Sequence, residues 1–356
     1  MSIPTRALGR NGPEVSSVGL GLMSIGGIYG AAPSDEDRLA LLDRAHAIGQ
    51  WFWDTADVYF DSEDIVGIWR AKNPIKAKDI FLASKFGITM RKDGSQTVDT
   101  SPEYARIALK RSLERLQTGT IDLYYAHRVD GKTPIEKTVE AMAQFKKSSR
   151  LPLVFSRTNT NYREGKIRFL GLSEVSADTL RRAHAVHPIT AVQVEYSPFT
   201  LDIEDPRVAL LETCRELGVA VVAYSPVGRG LLTGRYVTRE SITKDFFLSV
   251  LPRYSEENFP AIQRLYESIK DVAEKKGVTP TQATLAWLLA REPFVIPIPG
   301  TRSIKYLVEN TASAQIQLTD DENRRITEAA NATKLVGARY PAGFPENYEF
   351  GTTPEL

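Results

Sequence analysis

Only one cysteine, Cys214, occurs in the 356 residues, so no intramolecular disulfide can form and a disulfide framework for secretion is excluded. It falls in the helical-looking segment Val208–Leu217 and reads as a small buried apolar residue. The four histidines are scattered, with neither a CxxC nor an HExxH spacing, which argues against a built-in metal site. An excess of either charge is also missing: 45 Lys and Arg against 44 Asp and Glu give a net charge of +1. Proteins that work on nucleic acid or on an anionic membrane surface need a basic excess, and neither partner is expected here. No run approaches the roughly 20 apolar residues of a membrane span. Residues 1–15 hold no apolar stretch of signal-peptide length. A soluble protein in a reducing, cytoplasmic setting is the expectation.

What the sequence does have is a rhythm. Eight short apolar runs alternate with amphipathic segments: Ser17–Met23, Trp51–Ala56, Ile80–Phe86, Ile121–His127, Ile167–Ser173, Ala191–Tyr196, Val219–Tyr224 and Phe294–Ile298. Runs that are apolar throughout suit strands covered on both faces, as in a parallel sheet. The segments between them carry helix start signals. Thr133-Pro134-Ile135-Glu136 and Thr279-Pro280-Thr281-Gln282 have the capping-box spacing with Pro at the first helical position. Thr319-Asp320-Asp321-Glu322 opens another helix, and Ser34-Asp35-Glu36-Asp37 places acid where a helix dipole favours it. Eight βα units predict an α/β fold, a single (β/α)8 TIM barrel over residues 1–335 with an extra C-terminal helix. Asn11-Gly12, within Arg6–Val18, signals an N-terminal β-hairpin that plugs the barrel floor.

Three segments break the rhythm. Phe246–Pro260 is too long for a simple connection and reads as a substrate-side loop. The tail 336–356 is rich in Pro, Gly and aromatics and is expected to fold over a pocket. Residues 148–163 intervene between the fourth helix and the fifth strand at the barrel floor, as a surface loop or as translated intron sequence.

The C-terminal strand ends of a parallel barrel converge on one face, and chemistry gathers there. Asp54, Lys85 and His127 close the second, third and fourth apolar runs, and Tyr59 lies just beyond the second. The four make a proton-transfer set. A phenol is a poor acid near neutrality, with an ordinary pKa of about 10. An ammonium at Lys85 is expected to favour the Tyr59 phenolate and lower that pKa, with Asp54 holding the lysine charged. His127 would orient a substrate carbonyl while Tyr59 gives a proton to its oxygen. None of the four forms a covalent bond in this scheme, so a separate hydride donor is required. Taken singly, each residue has another reading. Lys85 could be a Schiff-base lysine of a barrel aldolase. His127 could be a core histidine, Tyr59 a packing aromatic and Asp54 a structural ion-pair partner.

Further strings extend the pattern: Leu8–Leu22 (LGRNGPEVSSVGLGL), Trp53–Gly67 (WDTADVYFDSEDIVG), Leu82–Phe86 (LASKF), Ile121–Asp130 (IDLYYAHRVD), Gly165–Glu174 (GKIRFLGLSE), Val192–Pro198 (VQVEYSP), Ala223–Gly234 (AYSPVGRGLLTG) and Ile296–Thr301 (IPIPGT). With these, the chain resembles the aldo-keto reductase superfamily from about Arg6 to about Ala332. The resemblance implies an NADP-dependent oxidoreductase that reduces carbonyl compounds, with a catalytic tetrad of Asp54, Tyr59, Lys85 and His127. It also implies NADP(H) across the barrel mouth. Gly21, Leu22 and Met23 would lie near the cofactor, Ser173 and Gln193 would hold the carboxamide, and Tyr224 would stack on the nicotinamide. Ser225, Pro226, Gly228, Arg229, Gly230 and Leu231 would cross the pyrophosphate. Gly300, Thr301, Arg302, Lys305, Glu309 and Asn310 would take the adenosine-phosphate end, where a helix starts near Ser303.

Three positions depart from the family's habit: Tyr306, often basic; Glu174, often Asn; and Phe60, often Gly. Arg302 and Lys305 still favour a 2′-phosphate. The chain looks most similar to pyridoxal reductases and aryl-aldehyde reductases, and a pocket of Tyr29, Phe60, Trp53 and Phe247 would suit a flat aromatic aldehyde. The other function open within the family is an NADPH-binding, redox-sensing subunit without turnover.

Overall fold

Asn11 sits at a φ of 62° in a tight turn, and around it β1 (Thr5–Ala7) and β2 (Glu14–Ser16) pair antiparallel as the hairpin signal predicts. The computed structural model describes residues 3–28, 30–91, 95–146, 165–236, 238–242, 246–345 and 347–356, the side chains of 246 and 247 excepted. The hairpin is tied to the barrel floor by the Arg6 guanidinium, which donates to the carbonyls of Leu289, Glu292 and Val295. Leu8 and Val15 pack beneath Phe52, Phe81 and Val222, so the plug is an apolar one.

The chain then runs β3 (Leu20–Gly21), α1 (Asp35–Ala47), β4 (Phe52–Asp54), α2 (Ser62–Lys72), β5 (Phe81–Phe86), a rim hairpin of β6 (Ile88–Met90) and β7 (Gln96–Val98), α3 (Pro102–Arg115), β8 (Ile121–Ala126) and α4 (Ile135–Phe145). It continues with β9 (Ile167–Ser173), α5 (Ala177–Val186), β10 (Ala191–Glu195), α6 (Leu210–Leu217), β11 (Ala220–Tyr224), the short turns α7 (Arg239–Ile242) and α8 (Phe246–Ser249), α9 (Phe259–Lys276), α10 (Pro280–Arg291), β12 (Val295–Pro297), α11 (Ile304–Ala312) and α12 (Asp320–Ala332). Eight strands form one parallel sheet in the order β12-β11-β10-β9-β8-β5-β4-β3. Gly19 N donates to Pro297 O at 2.9 Å and Gly21 N to Pro299 O at 3.3 Å, which closes the sheet on itself. This is the (β/α)8 barrel that the eight runs predict.

Burial divides into two layers. Inward side chains of alternate strand residues form a small inner core, and the large outer core lies between strands and helices. Capping boxes open α10 at Thr279 and α12 at Thr319, and Ser34 caps α1, all as read from sequence. Thr133 behaves otherwise. Its hydroxyl donates to Asp130 Oδ2 at 2.8 Å, and α4 begins at Ile135 behind Pro134 without a side-chain cap. The expectation failed because Asp130 already collects the amides of Lys132 and Thr133, forming a local turn that takes the threonine out of capping position.

The stretch Phe246–Pro260 also differs from its expectation. Among its described residues none lines the cavity. Leu248, Leu251 and Tyr254 are buried against the barrel, and Asn258 is bonded to Val336. Its length is used to anchor the tail. The segment 148–163 lies outside the described residues. Its flanks meet without it: Lys166 N donates to Phe145 O at 2.7 Å, and Lys146 bridges Ile167.

Candidate active site

The period-two rule of a strand decides which residues meet. Phe52, Ala83 and Tyr125 belong to the inner core, so the residues two further on, Asp54, Lys85 and His127, share that inward face at the upper strand ends. The same register brings Gln193 in after Ala191 and Tyr224 in after Val222. Trp53, one residue out of phase, points the other way. It packs edge-on against Trp69 with centroids 4.7 Å apart and donates to Gln50 O, so it lies in the outer core and not in the wall of the cavity at the strand ends.

Lys85 is fully buried, and its ammonium donates to Asp54 Oδ1, to Thr55 O at 2.8 Å and to Tyr59 Oη at 3.4 Å. Gln193 Nε2 donates to Asp54 Oδ2 at 2.8 Å. His127 Nε2 lies 3.5 Å from Tyr59 Oη, and the two rings meet edge to face. The structure therefore brings all four sequence-selected residues together. Asp54, Tyr59 and His127 line the cavity, while Lys85 stands behind Tyr59. The loop bearing Tyr59 is held on two sides. Arg115 donates to the carbonyls of Asp57 and Phe60. On the other side Gly26 approaches so closely that a Cβ there would sit 2.2 Å from Tyr59 O.

Electrostatics corrects one expectation. Burial pushes the Tyr59 phenol above its ordinary value, Asp54 adds to the rise, and Arg128 opposes it. The expected lowering by Lys85 does not prevail because burial is the largest influence and the Asp54 carboxylate beside that ammonium adds to the rise. In the pair, burial pushes Asp54 up and Lys85 down, and each partner opposes the shift of the other. His127 is held well below the usual imidazole range by burial, Lys85 and Arg128, so it is neutral at pH 7.

The four residues stand at one end of a cavity of about 1000 Å³. Of the residues implied for a cofactor, Gly21, Leu22, Met23, Ser173, Gln193, Tyr224, Ser225, Pro226, Arg229, Gly230, Gly300, Thr301, Arg302, Glu309 and Asn310 line it. Gly228, Leu231 and Lys305 do not. Gly228 shapes the loop at a φ of 58° and accepts from Tyr254 Oη, and Leu231 is packed in the outer core. Lys305 lies 5.7 Å from the Tyr306 ring, and it is Tyr306 that lines the cavity. The residues present fit a dinucleotide. The distal end offers Arg302 and the first turn of α11, whose N-cap Ser303 makes no side-chain capping bond, so backbone N–H groups are free for an anion. The proximal end offers Ser173, Gln193 and the Tyr224 ring.

Four of the eight non-glycine residues with left-handed backbone among the described residues, Phe60, Glu174, Ser225 and Arg229, lie at this end of the barrel. Glu174 is the largest departure in consequence. It is fully buried and takes a bidentate pair from Arg339, with Nη1 to Oε1 at 3.0 Å and Nη2 to Oε2 at 2.7 Å. Tyr224 Oη donates to the same carboxylate at 2.8 Å. Burial alone would raise this acid, but Arg339 and Arg128 bring it down to about 2. Beyond Arg339, Tyr340, Phe344 and Tyr348 pack against one another, Tyr348 edge to face with the other two, and form a cavity wall. Phe60, 63% exposed, faces the same cavity. Tyr29 and the Phe247 side chain lie outside the described residues. Sequence reasoning missed Arg128, Ser24 and Gln96 at the cavity. Only Arg128, next to His127, carried a signal that could have found it.

The chain is similar to known proteins along nearly its whole length. Residues 17–331 match the Aldo/keto reductase family. Aldo-keto reductase str7 of Strobilurus tenacellus is 48% identical over 344 residues, covering 95% of each chain. Aldo-keto reductase yakc [NADP(+)] of Schizosaccharomyces pombe is 40% identical over 357 residues, covering 99% of each. Among solved structures, the glycerol dehydrogenase AKR11B4 of Gluconobacter oxydans superposes with a TM-score of 0.80 at 28% identity, covering 94% of this chain and 97% of that one.

Proposed function

The chain belongs to the aldo/keto reductase family, and on that premise we propose that it is an NADPH-dependent reductase of aldehydes or ketones, with flat aromatic or pyridoxal-like aldehydes as its substrates. The observation that carries this reading is the joining of Asp54, Tyr59, Lys85 and His127 at one end of a cavity whose other end suits a phosphate. Ser173, Gln193 and Tyr224 would hold the nicotinamide, and Arg302 with the start of α11 would hold the adenosine phosphates. A dihydronicotinamide bound there supplies the hydride. The S. pombe relative is named for NADP(+), and Arg302 beside the cavity supports the same preference. The walls of Phe60, Tyr340, Phe344 and Tyr348 support an aromatic substrate. The lone buried Cys214 supports a reducing, cytoplasmic setting.

In this reading Tyr59 is the general acid. Burial keeps its proton in place until a carbonyl oxygen accepts it. The phenolate left behind then receives the hydrogen bond of the Lys85 ammonium, which Asp54 and Thr55 O hold in position. Neutral His127 orients the carbonyl. A Schiff-base role for Lys85 fits poorly, because its amine is fully buried and bonded three ways.

The test is a panel of aldehydes with NADPH and NADH. Oxidation of NADPH on adding 4-nitrobenzaldehyde or pyridoxal, with slower oxidation of NADH, is expected. NADPH that binds but is never oxidised by any carbonyl compound would instead favour the redox-sensing subunit. A second expectation concerns geometry. Gly26→Ala forces the Tyr59 backbone aside and should lower kcat by about 100-fold while circular dichroism shows the barrel intact. An unchanged kcat would mean that the Tyr59 loop tolerates displacement.

A further inference from the structure

The ion pairs around the cavity's inner end leave one cation without a carboxylate in contact. Lys85 is paired with Asp54, Arg229 with Glu195 at 3.0 Å, and Arg339 with Glu174, with Glu349 at 3.2 Å and with Glu195 at 3.8 Å. His127 is neutral. Arg128 is left over. It is only 4% exposed, yet among the described residues no carboxylate forms an ion pair with it. Glu174 acts on it from a longer distance but is committed to Arg339. Its Nη1 donates to His127 O at 2.7 Å and Ser173 Oγ at 3.1 Å, and its Nε finds no partner. One face of the guanidinium is covered by the Tyr348 ring, 4.5 Å away. The group nevertheless lines the cavity.

A buried cation with no carboxylate in contact is costly, and the cost is offset when an anion arrives beside it. We propose that Arg128 is an anion anchor for the substrate, so that the preferred carbonyl compounds carry a carboxylate or a comparable anionic oxygen on the side of the Tyr348 wall. This deepens the reductase reading and rests on it. Arg128 stands in the same wall as His127, so the anionic group and the reacting carbonyl lie on one molecule, with the aromatic wall beside the spacer between them. A guanidinium suits this role because its planar fork matches a carboxylate.

The experiment compares 3- and 4-carboxybenzaldehyde with the uncharged isosteres 3- and 4-formylbenzamide, with NADPH saturating. In the wild-type protein the better carboxylate isomer should exceed its amide in kcat/KM by roughly ten- to a hundredfold, the range for a hydrogen bond to a charged group. In Arg128→Met that ratio should fall to near one whatever happens to the absolute rates, and Arg128→Lys should retain part of it. A wild-type ratio near one, or a ratio that survives Arg128→Met, overturns the anchor. Should the methionine variant not fold, calorimetric titration of NADPH-loaded wild-type and Arg128→Lys protein with benzoate and with benzamide decides the matter. A benzoate preference that weakens in Arg128→Lys supports the anchor; equal binding of the two ligands, or a preference unchanged in the variant, refutes it. That titration needs no turnover, so a protein that reduces neither aldehyde class but prefers benzoate would sink the reductase reading and leave the anchor standing.

Discussion

Tyr59→Phe is expected to lower turnover of every carbonyl substrate by about 10²- to 10⁴-fold, the usual contribution of a positioned general acid, while NADPH affinity stays within a few-fold of wild type. The substitution deletes only the oxygen. The ring keeps its edge-to-face contact with His127, at 5.6 Å between centroids, and its place over Lys85. What disappears is the donor 3.4 Å from the Lys85 ammonium and 3.5 Å from His127. Cofactor fluorescence titration and single-turnover oxidation of NADPH separate binding from chemistry. A variant that turns over near the wild-type rate would show that water or another group supplies the proton. The pH dependence follows from the direction of the shift. The Tyr59 phenol is raised by burial and by Asp54, so it stays protonated through neutral and mildly alkaline pH, and no loss of rate from its ionisation is expected there.

Arg339→Met should lower stability by about 3–5 kcal/mol, because it leaves the Glu174 carboxylate buried without its bidentate partner. In the wild type, burial pushes Glu174 up and the arginines pull it down to about 2, below its ordinary 4.5. The pair therefore stabilises fully above pH 4.5 and loses its contribution as pH falls toward 2. In the variant burial meets less opposition, the acid rises, and its cost is felt only above that raised value. Urea unfolding should show a wide gap between variant and wild type near about pH 7.5, narrowing by about pH 5. Adding Glu174→Gln to Arg339→Met should recover part of the loss, since removing both charges leaves no orphan. A single variant that unfolds at the wild-type urea concentration would mean that Arg128 alone neutralises Glu174.

Much of this molecule was legible because its signals are local. An apolar run two residues short of a polar one announces an inward strand end, and Asp54, Lys85 and His127 all follow that pattern. Capping boxes at Thr279 and Thr319 lie within four consecutive residues and were readable for the same reason. Trp53 was misplaced although the alternation rule that brings Asp54 inward also turns its neighbour outward. Thr133 was misread because Asp130, three residues before it, takes its hydroxyl and amide, while other misreadings involve partners far apart in sequence. Nothing near Glu174 indicates that Arg339 will meet it, and nothing near Phe246–Pro260 indicates that it will serve Val336 instead of a substrate. The sign of the Tyr59 shift depended on burial and on how completely Asp54 offsets Lys85, and neither can be read from spacing.

The wall of the pocket reaches the barrel last. Residues after β12 carry Arg339 and the packed aromatics, and the chain then returns to the far side of the site, where Gly351 N donates to Glu174 O and Ser176 N to Gly351 O. A ribosome releases β12 before it releases Arg339, so a nascent chain can join its last strand to its first while Glu174 still awaits a counter-cation. Until the tail arrives that acid stands at an open rim beside Arg128, where water solvates its charge. Newly made protein would then pass through a stage with a closed barrel and an open rim, and the tail would bring the cation that lets Glu174 be buried as an anion when the cavity is completed.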